Sequence, residues 1–169
     1  MRLSPFIFSK DNYFSIGINS LLTPELIDKY YDILDLETTS YKQIKRLLRP
    51  RKKIVVFISN DIDYYSLRHV NNVMFIDKRS KPSAIFSYLA ADDSSFAYQV
   101  RKKLSKRENE VLSHIQRGLS ACEIGTRLGI NVKTIYSHRR NLIGKLHIEN
   151  KIHLYRNIAR IDHKIGKAF

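Results

Sequence analysis

The chain has 169 residues, 43% of them apolar, so it can build one large domain or two small ones around a real core and is not disordered by composition. No run approaches the ~20 apolar residues of a membrane span. Phe6-Ile7-Phe8 is too short for a secretory signal, and a single cysteine, Cys122, excludes an internal disulfide framework or a multi-cysteine zinc site.

Thirty Lys and Arg against sixteen Asp and Glu leave a net charge of +14, unevenly spread. Residues 1–100 carry 14 basic and 11 acidic side chains, net +3; residues 101–169 carry 16 and 5, net +11. That split marks an ordinary front domain and a rear domain that meets a polyanion, with double-stranded nucleic acid first and an acidic membrane surface second. The lone cysteine suits a reducing cytoplasm.

In chain order, strands are expected at 6–8, at 54–58 (Ile54-Val55-Val56-Phe57-Ile58, continuous and β-branched) and at 73–76, with 31–36 as a weaker, alternating fourth. Helices are expected at 12–22, 24–30, 40–48, 62–70 and 82–91, with Pro24 and Pro82 suited to first turns. Apolar strands alternating with helices predict a mostly parallel sheet covered on both faces, over residues 1–95. Residues 96–103 read as a linker. The RPRKK run at 49–53 reads as a solvated loop before a strand, with a second nucleic-acid contact as the other reading.

Beyond the linker the pattern is all helical, over 104–165. Ser105-Lys106-Arg107-Glu108 and Ser120-Ala121-Cys122-Glu123 are capping boxes, in which a Ser hydroxyl takes the third amide and Glu reaches back. Gly118 and Gly129 stop the first two helices, Asn131 caps a third and Asn150 a fourth. Only Gly129-Ile130-Asn131 separates helices two and three, which forces a steep crossing, the helix-turn-helix arrangement. Gly125 is small where the two helices touch, and Ile135 plugs the angle between them. In helix three, Ile135, His138, Leu142 and Leu146 share the inner stripe, so Lys133, Tyr136, Ser137 and Arg140 face outward beside Asn141 and Gly144.

These residues resemble the LuxR/FixJ-type (GerE-like) helix-turn-helix of bacterial transcription regulators. The resemblance runs over 104–155, on Leu104, Arg107-Glu108, Glu110-Val111-Leu112, Gly118, Ser120, Glu123-Ile124, Leu128, Ile130, Lys133-Thr134-Ile135, His138, Lys145-Leu146 and Asn150-Lys151. It implies that 132–146 enters the major groove of DNA and that Tyr136, Ser137 and Arg140 touch bases, Arg140 by a bidentate contact to guanine. Ser120, Lys133, Thr134, Arg139 and Lys145 suit phosphates. Ile152, Tyr155 and Ile158 on the fourth helix are the dimerisation contact that the resemblance implies, in a homodimer or with another regulator. His138 reads as a structural histidine. His69, His114, His147, His153 and His163 make no paired-ligand pattern, and no metal or cofactor is expected.

The front domain loosely resembles a receiver, shortened to roughly 95 residues. Residues 6–22 resemble its first strand and helix, 54–58 its central strand, and Lys81-Pro82 its late Lys-Pro pair. A receiver holds Mg²⁺ with two adjacent carboxylates after the first strand and accepts phosphate on a third at the end of the central strand. Here Ser9-Lys10 replace the first pair and Ser59-Asn60 the third, with Asp61 the next acid. The whole therefore resembles an auxiliary regulator of the RcsA type, with an atypical domain for dimerisation or partner docking. A phosphorylation-dependent regulator using Asp61 and a module binding an acidic protein partner are the alternatives. A doubly wound enzyme would need a glycine-rich phosphate loop, which six scattered glycines do not make.

Overall fold

The computed structural model describes residues 3–39, 46, 52–91, 95, 97–148, 150, 152, 154 and 155. The chain divides into two compact units, residues 1–59 with 63–99, and 60–62 with 100–169. Among the described residues no helix is long and apolar enough to cross a membrane.

Over residues 3–91 the chain runs β1 (Ile7–Phe8), α1 (Asn12–Leu21), α2 (Pro24–Tyr30), β2 (Tyr31–Asp35), β3 (Lys53–Ile58), α3 (Asp61–Leu67), β4 (Val73–Asp77) and α4 (Pro82–Ala91). Its sheet is parallel throughout, in the order β1-β2-β3-β4, with Ile7 opposite Ile33, Ile33 opposite Val55 and Val55 opposite Met74. Asp11 caps α1 by accepting from the Tyr13 and Phe14 amides, and Thr23 caps α2 with Pro24 in its first turn. Every residue of β2, and all of β3 after Lys53, is buried, which is what a sheet covered on both faces requires. On one face Ile18, Leu22, Ile27, Ile85, Tyr88 and Leu89 close over Tyr31, Ile33, Val55, Phe57 and Ile76. Each fully buried Ile or Leu there contributes roughly 1.5–3 kcal/mol relative to exposure.

Two expectations change. The segment at 31–36, read as a weak alternating strand, is a fully buried inner strand, because both of its neighbours are paired and both faces covered. The stretch expected to begin the linker at 96 is still part of the first unit at Ala97 and Tyr98. The Tyr98 amide donates to Phe75 O (2.9 Å) on the outer edge of β4, its ring stacks on Tyr64, and Ala97 packs against the core.

The second unit contains α5 (Lys106–Gln116), α6 (Ala121–Leu128) and α7 (Val132–Lys145). Beyond them, Ile152, Leu154 and Tyr155 are helical and Leu154 is fully buried. The helix expected at 40–48 (Arg46 apart), most of the RPRKK run, and Ile158 lie outside the described residues.

Candidate nucleic-acid interface

Local chemistry sets the angle between α6 and α7. Both capping boxes form: Ser105 with Glu108 and Ser120 with Glu123, each hydroxyl accepting the third amide while the Glu takes the cap amide. Gly129 ends α6 at φ +63°, a left-handed conformation that glycine adopts without steric cost. The chain then turns so tightly that Ile130 donates its amide to Gly125 O (3.0 Å). A Cβ built on Gly125 would lie 2.8 Å from Ile130 O, so a hydrogen is required there. Asn131 caps α7 by accepting the Lys133 amide at 2.8 Å. Ile124, Ile135, Leu142 and Leu146 are fully buried beneath the crossing.

Two charged clamps brace α5 against the pair. Arg107 pairs with Glu110 (2.8 Å) and donates to Leu128 O (2.7 Å), a carbonyl at the end of α6 that the helix itself leaves open. Lys145 near the end of α7 pairs with the buried Glu108 at 2.7 Å. Burial pushes the Glu108 carboxyl up, but hydrogen bonds from Lys145 and Ser105 outweigh it and hold it below its ordinary value. Burial, with Arg117 and Arg127 nearby, holds the His114 imidazole below its ordinary value.

The face left open on α7 is the one that helical spacing selects. Lys133, Thr134, Tyr136, Ser137, Arg140, Asn141 and Gly144 are all exposed, Tyr136 by 55%. Ser137 Oγ donates back to Lys133 O (3.2 Å) and keeps its lone pairs outward. A row of a cation, a phenol, a hydroxyl, a guanidinium and an amide on one helix face can read base edges and grip phosphates together.

Three of the residues expected at phosphates already have partners within the chain. Arg139 is buried, 9% exposed, with its guanidinium 5.9 Å from the Tyr136 ring and 5.7 Å from that of Tyr155. The Lys145 ammonium is engaged by Glu108. Ser120 is exposed, but its amide already donates to the Glu123 carboxylate (2.7 Å), which stands where an anion would sit. Helical spacing could not reveal all of these engagements, since Tyr155 and Glu108 come from other segments of the fold. At the expected dimer contact, Ile152 is 67% and Tyr155 40% exposed.

In the first unit, the strand ends gather a second set of charged groups and correct the receiver comparison. The strand beside β1 is Tyr31–Asp35, not 54–58, so the strand-end carboxylate facing Ser9 is Asp35, and neither Ser59-Asn60 nor Asp61 holds that place. Asp61 instead opens α3. Asp35, fully buried, accepts from Ser9 Oγ (2.8 Å), Thr38 Oγ1 (3.0 Å), Lys78 Nζ (3.1 Å) and the Glu37 amide (3.1 Å). The lysine at this site is thus Lys78 and not Lys81. Its ammonium also meets Glu37 (2.6 Å) and Asp11 (3.8 Å). Burial lowers the Lys78 pKa, but Glu37 and Asp35 outweigh that and hold it above its ordinary value. The signal for Asp35 was in the sequence, as the acid closing Tyr31-Asp32-Ile33-Leu34-Asp35, but assigning it needed the strand order.

Residues 102–158 match the model of the bacterial regulatory proteins of the luxR family. The match covers the C-terminal third of the chain and takes in the whole α6–α7 pair. Over 95 residues the chain is 30% identical to the transcriptional regulatory protein UhpA of Escherichia coli K12, covering 50% of this chain and 48% of that one. The chain thus spans about half the length of this curated relative. It is 25% identical over 161 residues to the oxygen regulatory protein NreC of Staphylococcus carnosus, covering 89% of this chain and 74% of the relative. In fold, it resembles RcsB in a structure of two RcsB dimers bound to two parallel DNAs, with TM-score 0.55, 22% identity, and 92% and 97% of the two chains covered. RcsB from Salmonella enterica serovar Typhimurium, bound to promoter DNA with a phosphomimetic, matches with TM-score 0.53, 22% identity and the same coverage.

Proposed function

We propose that this protein is a sequence-specific DNA-binding regulator of transcription. Its helix α7 enters the major groove, Tyr136, Ser137 and Arg140 contact bases, and Lys133 and Thr134 contact phosphates. The observation that carries the reading is the open face of α7, polar and cationic, on a helix-turn-helix of the luxR family. The net +11 of residues 101–169 supplies the field that draws in a polyanion. A gel shift on random-sequence DNA, with sequencing of the bound pool, tests it. An enriched motif is expected. A pool without one, or binding only to an acidic protein, contradicts the reading.

The N-terminal domain serves dimerisation or docking of a partner regulator, without aspartate phosphorylation. Ser9 and Lys10 stand where metal-binding carboxylates would be needed, and the Asp35 carboxylate is taken up by four donors, one of them the Lys78 ammonium. Without two or three carboxylates Mg²⁺ has no cage, and the charge on a transferring phosphoryl group is not neutralised. Acetyl phosphate with Mg²⁺ should leave the intact mass unchanged. A stoichiometric, acid-labile gain of one phosphoryl group, abolished by Asp35→Ala, would establish the opposite.

A further inference from the structure

We infer that Arg139 is a positioning residue that holds the Tyr136 ring on the reading face and joins it to Tyr155, rather than a phosphate contact. The inference rests on the DNA-binding reading of α7 and deepens it.

The observation is a charge where the sequence predicts an open surface. Lys133 and Arg140 on the same helix are exposed, whereas Arg139 is 9% exposed. Among the described residues, its Nε is buried and has no hydrogen-bond partner. A buried guanidinium is costly unless something replaces its water. Here the replacement is aromatic, with Tyr136 at 5.9 Å and Tyr155 at 5.7 Å from the guanidinium carbon. Both lie within the range at which a cation is drawn to a ring face. Tyr136 and Arg139 are three residues apart on α7, so their side chains are neighbours by helix geometry. Tyr155 comes from the helical stretch beyond α7 and reaches the guanidinium through tertiary packing. To reach a phosphate, Arg139 would have to leave both rings. Kept in place, it restricts Tyr136, a residue 55% exposed, and so determines where a base-reading phenol stands. Because Tyr155 lies in the stretch expected at the dimer contact, one guanidinium joins the reading face to that stretch.

Two measurements on the full chain test this. In the free protein, the Arg139 Nε–H resonance should be shifted upfield by ring currents and should move in both Tyr136→Leu and Tyr155→Leu. A resonance at the ordinary position that ignores both substitutions overturns the contact. On DNA from the selected pool, Arg139→Met and Tyr155→Leu should reduce discrimination about three- to tenfold at the base pair whose preference Tyr136→Ala abolishes. The log–log salt slope should stay unchanged, and Arg139→Lys should keep part of the discrimination. Overturning the proposal would be an Arg139→Met protein that binds every sequence more weakly by one factor and loses about one unit of slope, as a phosphate contact would. If no DNA motif is selected, the regulator reading fails, and the resonance shifts still decide whether the guanidinium holds the ring.

Discussion

Arg140 on α7 faces outward and is exposed, whereas Glu108 on α5 faces inward and is buried. Arg140 is exposed on the open face of α7, with the planar fork that matches guanine O6 and N7. Arg140→Ala should relax specificity at one base pair, at a cost there of roughly 1–3 kcal/mol, read by competition between operators that differ at that position. Equal weakening on all sequences would make it a phosphate contact. Glu108 is buried and paired with Lys145, and its folded carboxyl titrates below the ordinary value of 4.5. It therefore stabilises the fold above that value and ceases to do so as the pH falls through the folded value. Urea midpoints measured from pH 6 down to about 3 should fall, and Glu108→Gln should be less stable at pH 6 with a shallower fall. Gly125 is limited by space: a Cβ 2.8 Å from a backbone oxygen makes either helix move. Gly125→Val should cost roughly 1–3 kcal/mol in chemical unfolding, the range of overpacked sites.

At the scale of the elements, what was legible from the sequence is whatever short-range chemistry controls. Ser105, Ser120 and Asn131 cap the helices they were expected to cap, because a cap needs only a hydroxyl or amide and the next three amides. The open face of α7 follows from 3.6-residue spacing alone. The assignment of β2 needed more. Tyr31-Asp32-Ile33-Leu34-Asp35 alternates like a half-exposed strand, yet all five residues are buried, since Asp32 and Asp35 find charged partners that local pattern does not reveal. That burial, with pairing to β1 and β3, makes Asp35 the carboxylate beside Ser9 and moves the lysine of the site to Lys78. Arg139 and Lys145 make the same point: local pattern reads charged residues near an exposed helix face as phosphate contacts and does not show the ring or the carboxylate from another segment that meets them.

For the whole molecule, charge makes the measurable demand. Each phosphate neutralised should take about 0.9 units from the slope of log K against log salt, so binding should weaken steeply between low and moderate salt. A flat response would remove the electrostatic argument. One helix-turn-helix buries too little surface for tight specific binding, so footprints should show two half-sites about one helical turn apart. Full-affinity protection of a single half-site would contradict that expectation.

By itself the sequence determined the two-domain plan, the parallel sheet, the helix-turn-helix, its caps and the outward row of α7. These depend on periodicity, capping chemistry and turn residues, which act over a few positions. Only the tertiary structure decided which strand lies beside β1, which acid and which lysine meet there, and which basic side chains of α7 are already held. Those facts depend on residues brought together from 26 to 43 positions apart, such as Ser9 with Asp35 and Asp35 with Lys78, and burial strengthens such contacts in a way that no local pattern records.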